Sequence, residues 1–137
     1  MSPKPLETVI LVDDSQMDNK LHARAIKRTG LALNIVCFAM AEDAIEYLRQ
    51  PGAIPADLIL LDINMPRMDG FEMLEAAVEE FGEPFLPSIV VMLTTSMDPR
   101  DQDRAAQIPV IKDYFQKPLT QEKFVTLVSN LQAGKAA

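Results

Sequence analysis

Short apolar runs alternate along the chain with segments whose apolar residues recur at helical spacing, and this cycle repeats five times. The runs have the length of strands, and most of them are almost entirely apolar. Such runs are typical of a parallel sheet that helices cover on both faces. The alternation therefore predicts five βα units, with strands over Thr8–Val12, Asn34–Phe38, Leu58–Leu61, Ser88–Leu93 and Asp113–Gln116.

The segments between the strands predict amphipathic helices. Three of them carry clear apolar stripes, in Ala41, Ala44, Ile45 and Leu48, in Phe71, Leu74, Val78 and Phe81, and in Phe124, Leu127, Val128 and Leu131. The segment between Asp98 and Ala106 is short, rich in mixed charge and poor in large apolar residues, so we expect a loosely held helix there. Residues 51–55 and 83–87 read as loops, and residues 133–137 as a frayed tail.

The first helix has recognisable ends. The hydroxyl of Ser15 can cap its start together with Asp18, and Gly30 is suited to its end. We expect its buried face to carry Met17, Leu21 and Ala25, and we expect His22, which lies among basic residues, to be exposed.

Composition narrows the class of protein. A chain of 137 residues with 48% hydrophobic and 24% charged residues has the size and composition of one globular domain, so we expect a single domain over residues 1–137 with no output domain. The net charge of -7 disfavours nucleic-acid binding, which depends on clustered Lys and Arg. No apolar run approaches the roughly 20 residues that span a membrane. The single Cys37, which we expect to be a small core residue, fits the reducing cytoplasm.

Polar residues occur at or just beyond the carboxyl ends of four predicted strands. Ligands of open parallel sheets bind at this edge, near the point where the strand order reverses, so these residues should share one cleft. They are Asp13 and Asp14 after the first strand, Asp62 after the third, Thr94 after the fourth and Lys117 after the fifth.

These residue types indicate phosphoryl chemistry. Three carboxylates in one cleft repel one another, and a bound hard cation usually offsets this repulsion. Mg²⁺ is the best match, because it prefers oxygen ligands and binds through one or two carboxylates together with phosphate. A lysine and a hydroxyl can hold phosphoryl oxygens, which leaves one carboxylate free to act as the nucleophile.

The motifs in Val12–Ser15, Leu60–Gly70, Leu93–Thr94 and Lys117–Pro118 together resemble the receiver domains of response regulators, over nearly the whole chain. The resemblance implies a flavodoxin-like, doubly wound (βα)5 fold with a parallel sheet of order 2-1-3-4-5. It also implies that Asp62 is the phosphoacceptor and that Asp13 and Asp14 bind the metal with it. The backbone carbonyl of Asn64 would complete the metal shell.

The resemblance assigns Thr94 and Lys117 to phosphoryl contacts, Tyr114 to the rotating aromatic of the switch, and a cis peptide bond to Lys117–Pro118. Thr95 replaces the small alanine that is common in the family, so bulky donors could react more slowly. The last helix, over residues 121–132, lacks the arginine that pairs across the dimer of DNA-binding regulators. We therefore expect a monomer or weak dimer.

The expected function is a phosphorylation-dependent switch of a two-component pathway. A histidine kinase or phosphotransfer protein would phosphorylate Asp62 with Mg²⁺, and the altered surface would bind a downstream protein. The domain would catalyse only its own phosphorylation and dephosphorylation.

Two alternatives are weaker. A Mg²⁺-dependent phosphatase would add a cap domain and a second acid near the position of Asn64. A flavin or nucleotide carrier would need a phosphate-binding loop where residues 13–16 are acidic.

Overall fold

The computed structural model describes residues 3–134. Strands and helices alternate along this part of the chain, as the periodicity predicted. The strands are β1 (Leu6–Val12), β2 (Ala32–Phe38), β3 (Leu58–Asp62), β4 (Val90–Thr94) and β5 (Ile111–Gln116). The helices are α1 (Gln16–Thr29), α2 (Ala41–Leu48), α3 (Gly70–Phe81), α4 (Pro99–Ala106) and α5 (Gln121–Gln132).

The five strands form one parallel sheet in the order β2-β1-β3-β4-β5, which confirms the predicted doubly wound α/β fold. The central strands β3 and β4 are buried along their whole length. The order reverses between β1 and β3, so the carboxyl ends of these two strands border the cleft in which open α/β sheets bind ligands.

Side-chain alternation along the strands divides the core into two layers. On one face, Leu11 and Leu60 pack with Ile26 of α1 and Phe124 of α5. On the other face, residues of β1 and β3 pack against α2, α3 and Ala105 of α4. Ala105 is the buried residue of α4, in keeping with the small apolar content of that helix.

The limits of several strands and the exposure of Cys37 differ from the predictions. Four of the strands begin earlier or later than predicted: β1 at Leu6, β2 at Ala32, β4 at Val90 and β5 at Ile111. The prediction that Cys37 is a core residue is wrong, because its side chain is exposed. Within the described residues β2 pairs only with β1, so the apolar composition of this edge strand does not ensure that every side chain is covered.

The predicted ends of α1 are confirmed, but its predicted orientation is wrong. The Ser15 hydroxyl accepts a hydrogen bond from the Asp18 backbone N–H, and Gly30 ends the helix with a positive φ of 70°. Met17 and Leu21 are 71% and 53% exposed. The face turned toward the protein carries instead Asn19, His22 and Ile26.

The orientation of α1 follows from the polar surface that the helix covers. Its first half crosses the polar carboxyl end of the sheet, where backbone carbonyls and charged side chains need polar partners. Asn19 Nδ2 donates to the carbonyls of Asp13 at 3.0 Å and Phe38 at 3.2 Å. Farther along the helix, Ile26 is buried in the apolar core and the partly buried Ala23 packs against it.

The loops contain more structure than the pattern predicted. The segment predicted as a loop over residues 83–87 includes a 3₁₀ turn, Glu83–Phe85, and Phe85 is fully buried. Cis peptide bonds occur at Lys117–Pro118, where the resemblance implied one, and at Ile54–Pro55. Residues 133 and 134 form a turn, whereas the rest of the predicted tail lies outside the described residues. None of the helices in residues 3–134 is long and apolar enough to cross a membrane.

Candidate functional site

Three carboxylates meet at the carboxyl edge of the sheet. Asp13 directly follows β1, Asp14 comes next, and Asp62 is the last residue of β3. One ligand oxygen from each of the three residues lies within 4.8 Å of the others. Asp13 and Asp62 are buried and Asp14 is exposed, so the cluster has one side open to solvent. Oxygen ligands in this arrangement could bind a hard divalent cation.

Lys117 places a positive charge inside this cluster. Its side chain is only 10% exposed, and its Nζ lies 2.6 Å from Asp13 Oδ2 and 3.2 Å from Asp62 Oδ1. The backbone N–H of Lys117 donates to the Thr94 carbonyl at 2.7 Å, which holds the start of its loop against the end of β4. The geometry therefore brings together Asp13, Asp14, Asp62 and Lys117, the four charged residues that the pattern placed in one cleft.

The surroundings shift the pKa values of the buried groups. Burial raises the pKa of Asp62 to about 6, the negative charge of Asp13 adds to the rise, and Lys117 opposes it. Burial by itself would lower the pKa of Lys117, but hydrogen bonds to Asp13 and Asp18 and the charge of Asp62 raise it above its ordinary value. Lys117 therefore stays charged, and Asp62 is an unusually basic carboxylate.

Thr94 and Tyr114 lie on the face of the sheet that packs against α2, α3 and α4. Thr94 follows Met92 by two residues and so shares its face, on which Tyr114 also packs. Thr94 is fully buried, and its hydroxyl donates to the Ser96 carbonyl at 2.9 Å. The Tyr114 hydroxyl is buried and makes no hydrogen bond of regular geometry among residues 3–134, but it lies beside the Thr94 side chain. Burial raises the pKa of Tyr114, and Thr94 opposes the rise. The aromatic ring therefore already points inward in this structure.

The loop after β3 is held close to Asp62 by the start of α3. Asp69 and Glu72 form a reciprocal capping box at this start. Gly70 N–H donates to the Ile63 carbonyl at 2.8 Å, and a Cβ at Gly70 would lie 2.5 Å from the Asp62 carbonyl oxygen. Only glycine permits this approach. Asn64 is exposed in the loop, and its role as a metal ligand stays a prediction.

Two residues at this site were missed by the sequence analysis. Asp18 Oδ2 lies 3.0 Å from Lys117 Nζ, and Asn19 holds the backbone of Asp13. The prediction that His22 is exposed is also wrong, since its side chain is buried beside them. Burial lowers the pKa of His22 below its ordinary value, and the positive charge of Lys117 lowers it further. The stripe formed by residues 19, 22 and 26 has helical spacing and could have indicated a buried polar face.

Comparisons of the sequence and of the structure with known proteins identify the same family. The model of the response regulator receiver domain matches residues 9–129. The two-component response regulator ARR22 of Arabidopsis thaliana is 30% identical over 128 residues, which cover 93% of this chain and 85% of that protein. A crystal structure of a two component response regulator from Cytophaga hutchinsonii superposes with a TM-score of 0.85 at 29% identity, covering 95% of this chain and 99% of that chain.

The chain therefore belongs to the response regulator receiver domains, the signalling switches of two-component pathways. Receiver domains are switches and do not convert an external substrate. The relatives also include hybrid signal transduction histidine kinase D of Dictyostelium discoideum, which is 31% identical over 134 residues. The match covers 98% of this chain but 8% of that kinase.

Proposed function

We propose that a histidine kinase or phosphotransfer protein phosphorylates Asp62 and that the phosphorylated domain binds a downstream protein. The observation that carries this proposal is the ion pair between the buried carboxylate of Asp62 and Lys117, beside two further carboxylates. An ammonium at this position can stabilise the negative charge that develops on a transferring phosphoryl group.

Among the three carboxylates, Asp62 is best suited to be the nucleophile. Asp13 Oδ1 accepts the Ser15 backbone N–H at 2.9 Å, and its Oδ2 accepts a hydrogen bond from Lys117. Asp14 is exposed to water. Asp62 makes its single polar contact with Lys117, at the longer distance of 3.2 Å, within the described part of the chain. One of its oxygens is therefore available for attack.

The transfer forms an O–P bond at Asp62 and breaks the N–P bond of the phosphohistidine donor, whose nitrogen leaves with the electron pair. Lys117 meets the charge on the phosphoryl oxygens, and Thr94 supplies a hydroxyl once it turns from Ser96. Later attack by water on phosphorus returns Asp62 as a carboxylate and releases phosphate, which is the self-dephosphorylation that we propose.

The decisive experiment uses acetyl phosphate as a small donor, followed by intact mass measurement and peptide mapping. We expect one phosphoryl group, on Asp62, and none in Asp62→Asn. Asp43→Asn, which removes an exposed carboxylate from α2, should be labelled like the wild type. Label on another residue, or undiminished label in Asp62→Asn, would show that the nucleophile is wrongly assigned.

We further propose that the cation is Mg²⁺, held by Asp13, Asp14 and Asp62 with the backbone carbonyl of Asn64. When bound, the metal supplies positive charge for the phosphoryl oxygens. The residues fit, because a cluster of three carboxylates and one lysine retains net negative charge and has one side open to solvent. Carboxylate oxygens and water are the ligands that Mg²⁺ prefers.

Thermal unfolding tests the metal site. A cation that binds only the folded state adds RT ln(1 + [Mg²⁺]/Kd), or about 1.4 kcal/mol at roughly ten times Kd. We expect both Asp13→Asn and Asp14→Asn to gain less from Mg²⁺, because each removes a carboxylate ligand. Without metal, Asp14→Asn should melt higher, since it removes one repelling charge, whereas Asp13→Asn also breaks the buried ion pair with Lys117 and should not. A wild-type melting curve that is indifferent to millimolar Mg²⁺ would contradict the proposal.

We propose that the switch couples Thr94 to Tyr114 and changes the face formed by α4, β5 and α5. Within residues 3–134 the buried hydroxyl of Tyr114 makes no hydrogen bond of regular geometry, but it lies beside Thr94, so movement of Thr94 toward a phosphoryl group would alter the packing around the ring. Amide shifts on phosphorylation should cluster on that face. Tyr114→Ala should uncouple target binding from phosphorylation, whereas Tyr114→Phe should preserve the coupling. Shifts confined to the α1 and α2 sides would contradict this switch.

A further inference from the structure

Asp18 is a fourth carboxylate at the cleft, and the phosphoryl-transfer scheme above gives it no role. It lies in the first turn of α1, and its Oδ2 is 3.0 Å from Lys117 Nζ. Its side chain is 34% exposed, so it forms the outer wall of the pocket that holds the ammonium.

The ammonium of Lys117 has three N–H donors and three carboxylate neighbours. Asp13, Asp18 and Asp62 lie at 2.6, 3.0 and 3.2 Å from Nζ. Asp13 lies in the loop after β1, Asp18 in α1 and Asp62 at the end of β3, so the three contacts fix the direction of a side chain that is otherwise long and flexible.

The carboxylate of Asp18 is not needed to cap α1. In a reciprocal capping box this carboxylate would accept the backbone N–H of Ser15. Ser15 N–H instead donates to Asp13 Oδ1, while Asp18 contributes its own backbone N–H to the Ser15 hydroxyl. The same local sequence therefore caps the helix through its backbone and leaves the Asp18 carboxylate for Lys117.

We propose that Asp18 is a positioning residue that holds Lys117 in reach of the phosphoryl group on Asp62. The inference rests on the proposed phosphorylation of Asp62. A cation bound at Asp13 would compete with the ammonium for that carboxylate, which would leave Asp18 as the anchor of Lys117 beside Asp62. Asp18 itself does not touch the reacting atoms.

The test compares Asp18→Asn, which keeps the shape and removes the charge, with Asp18→Glu, which keeps the charge. Asp43→Asn is the matched control, because it also removes an acidic charge from the first turn of a helix. At saturating acetyl phosphate and Mg²⁺, the phosphorylation rate constant should fall about fivefold in Asp18→Asn, as expected for loss of a partly exposed ion pair. Asp18→Glu should recover most of the rate, and Asp43→Asn should match the wild type.

A second measurement needs neither donor nor metal. The side-chain CεH₂ signals of Lys117 in a ¹H–¹³C spectrum should shift in Asp18→Asn and stay in place in Asp43→Asn. An unchanged or faster rate in Asp18→Asn, or an unmoved Lys117 signal, would overturn the positioning role while labelling of Asp62 in the wild type upholds the proposed function. If the wild type takes no label on Asp62, the proposed function fails as well.

Discussion

The first two helices of this domain follow neighbouring strands, yet their inward faces are opposite in character. The inward face of α2 consists of Ala41, Ala44, Ile45 and Leu48, all apolar. The inward face of α1 begins with Asn19 and His22, while Met17 and Leu21 point into solvent. Both inward faces have helical spacing, but the inward face of α2 is apolar and the first half of the inward face of α1 is polar.

The difference follows from where each helix begins. β2 is an edge strand, so α2 starts beside the end of the sheet and packs on the apolar core. β1 lies inside the sheet, and α1 starts directly over Asp13 and the ammonium of Lys117. A helix in that position must supply polar groups to buried backbone and charge. A polar stripe on a buried helix face can therefore mark the edge of a site.

The largest effect should come from the apolar face of α2. Leu48→Ala is expected to lower the free energy of unfolding by about 2–5 kcal/mol, because it leaves a cavity in the core. Urea unfolding measures this loss. The melting-temperature increment produced by Mg²⁺ should persist, since α2 does not form the site. A variant that loses the Mg²⁺ response while remaining folded would weaken the contrast between the two helices.

A smaller but functionally more specific loss is expected at Asn19. Asn19→Ala removes the donor to the carbonyls of Asp13 and Phe38 and should cost about 1–3 kcal/mol of unfolding free energy. Because the backbone of Asp13 is then less firmly held, the Mg²⁺ increment should also shrink. Asn130→Ala, on the exposed surface of α5, is the control. An intact Mg²⁺ increment in Asn19→Ala would limit Asn19 to a purely structural role.

His22 should make stability depend on pH. Its folded-state pKa is lowered from the ordinary 6.5, so the unfolded chain binds more protons there. Its contribution is therefore favourable above about pH 6.5 and is lost as the pH falls toward the folded-state pKa. Asp62, whose pKa is raised, acts in the opposite direction up to about pH 6. The difference in unfolding free energy between wild type and His22→Gln isolates the histidine and should decrease from pH 7.5 to 5.5. A constant difference would show that His22 is not held neutral.

The smallest effect on stability is expected at the exposed face of α1. Leu21→Glu should change the free energy of unfolding by no more than about 0.5 kcal/mol. A protein donor must cover the rim of the cleft to reach Asp62, and α1 starts at that rim. Transfer from a phosphorylated kinase should therefore slow severalfold, and labelling by acetyl phosphate should not. Leu33→Glu, an exposed leucine at the far end of β2, is the matched control. Equal transfer rates in all three proteins would place the donor on another face.

Much of the fold and of the candidate site could be predicted from the sequence. The periods of 2 and 3.6 residues report which side chains are buried in an element, so five βα units and their approximate limits followed from pattern alone. Parallel strands bring their carboxyl ends to one edge, which is why Asp13, Asp62 and Lys117 could be placed together before any distance was known. Local chemistry was equally informative at Ser15 and Gly30, where the capping groups lie within a few residues of one another.

The tertiary structure decided what depends on neighbours distant in sequence. The sequence predicts the wrong orientation for α1, because its apolar stripe faces solvent and the surface beneath the helix is polar. Cys37 is exposed because β2 lies at the edge, which its own residues do not specify. The contact between Asp18 and Lys117 joins residues from the two ends of the chain. Periodicity shows that a helix has an inward face. Which residues that face carries depends on the surface it covers, because polar groups buried beneath a helix need hydrogen-bond partners from it.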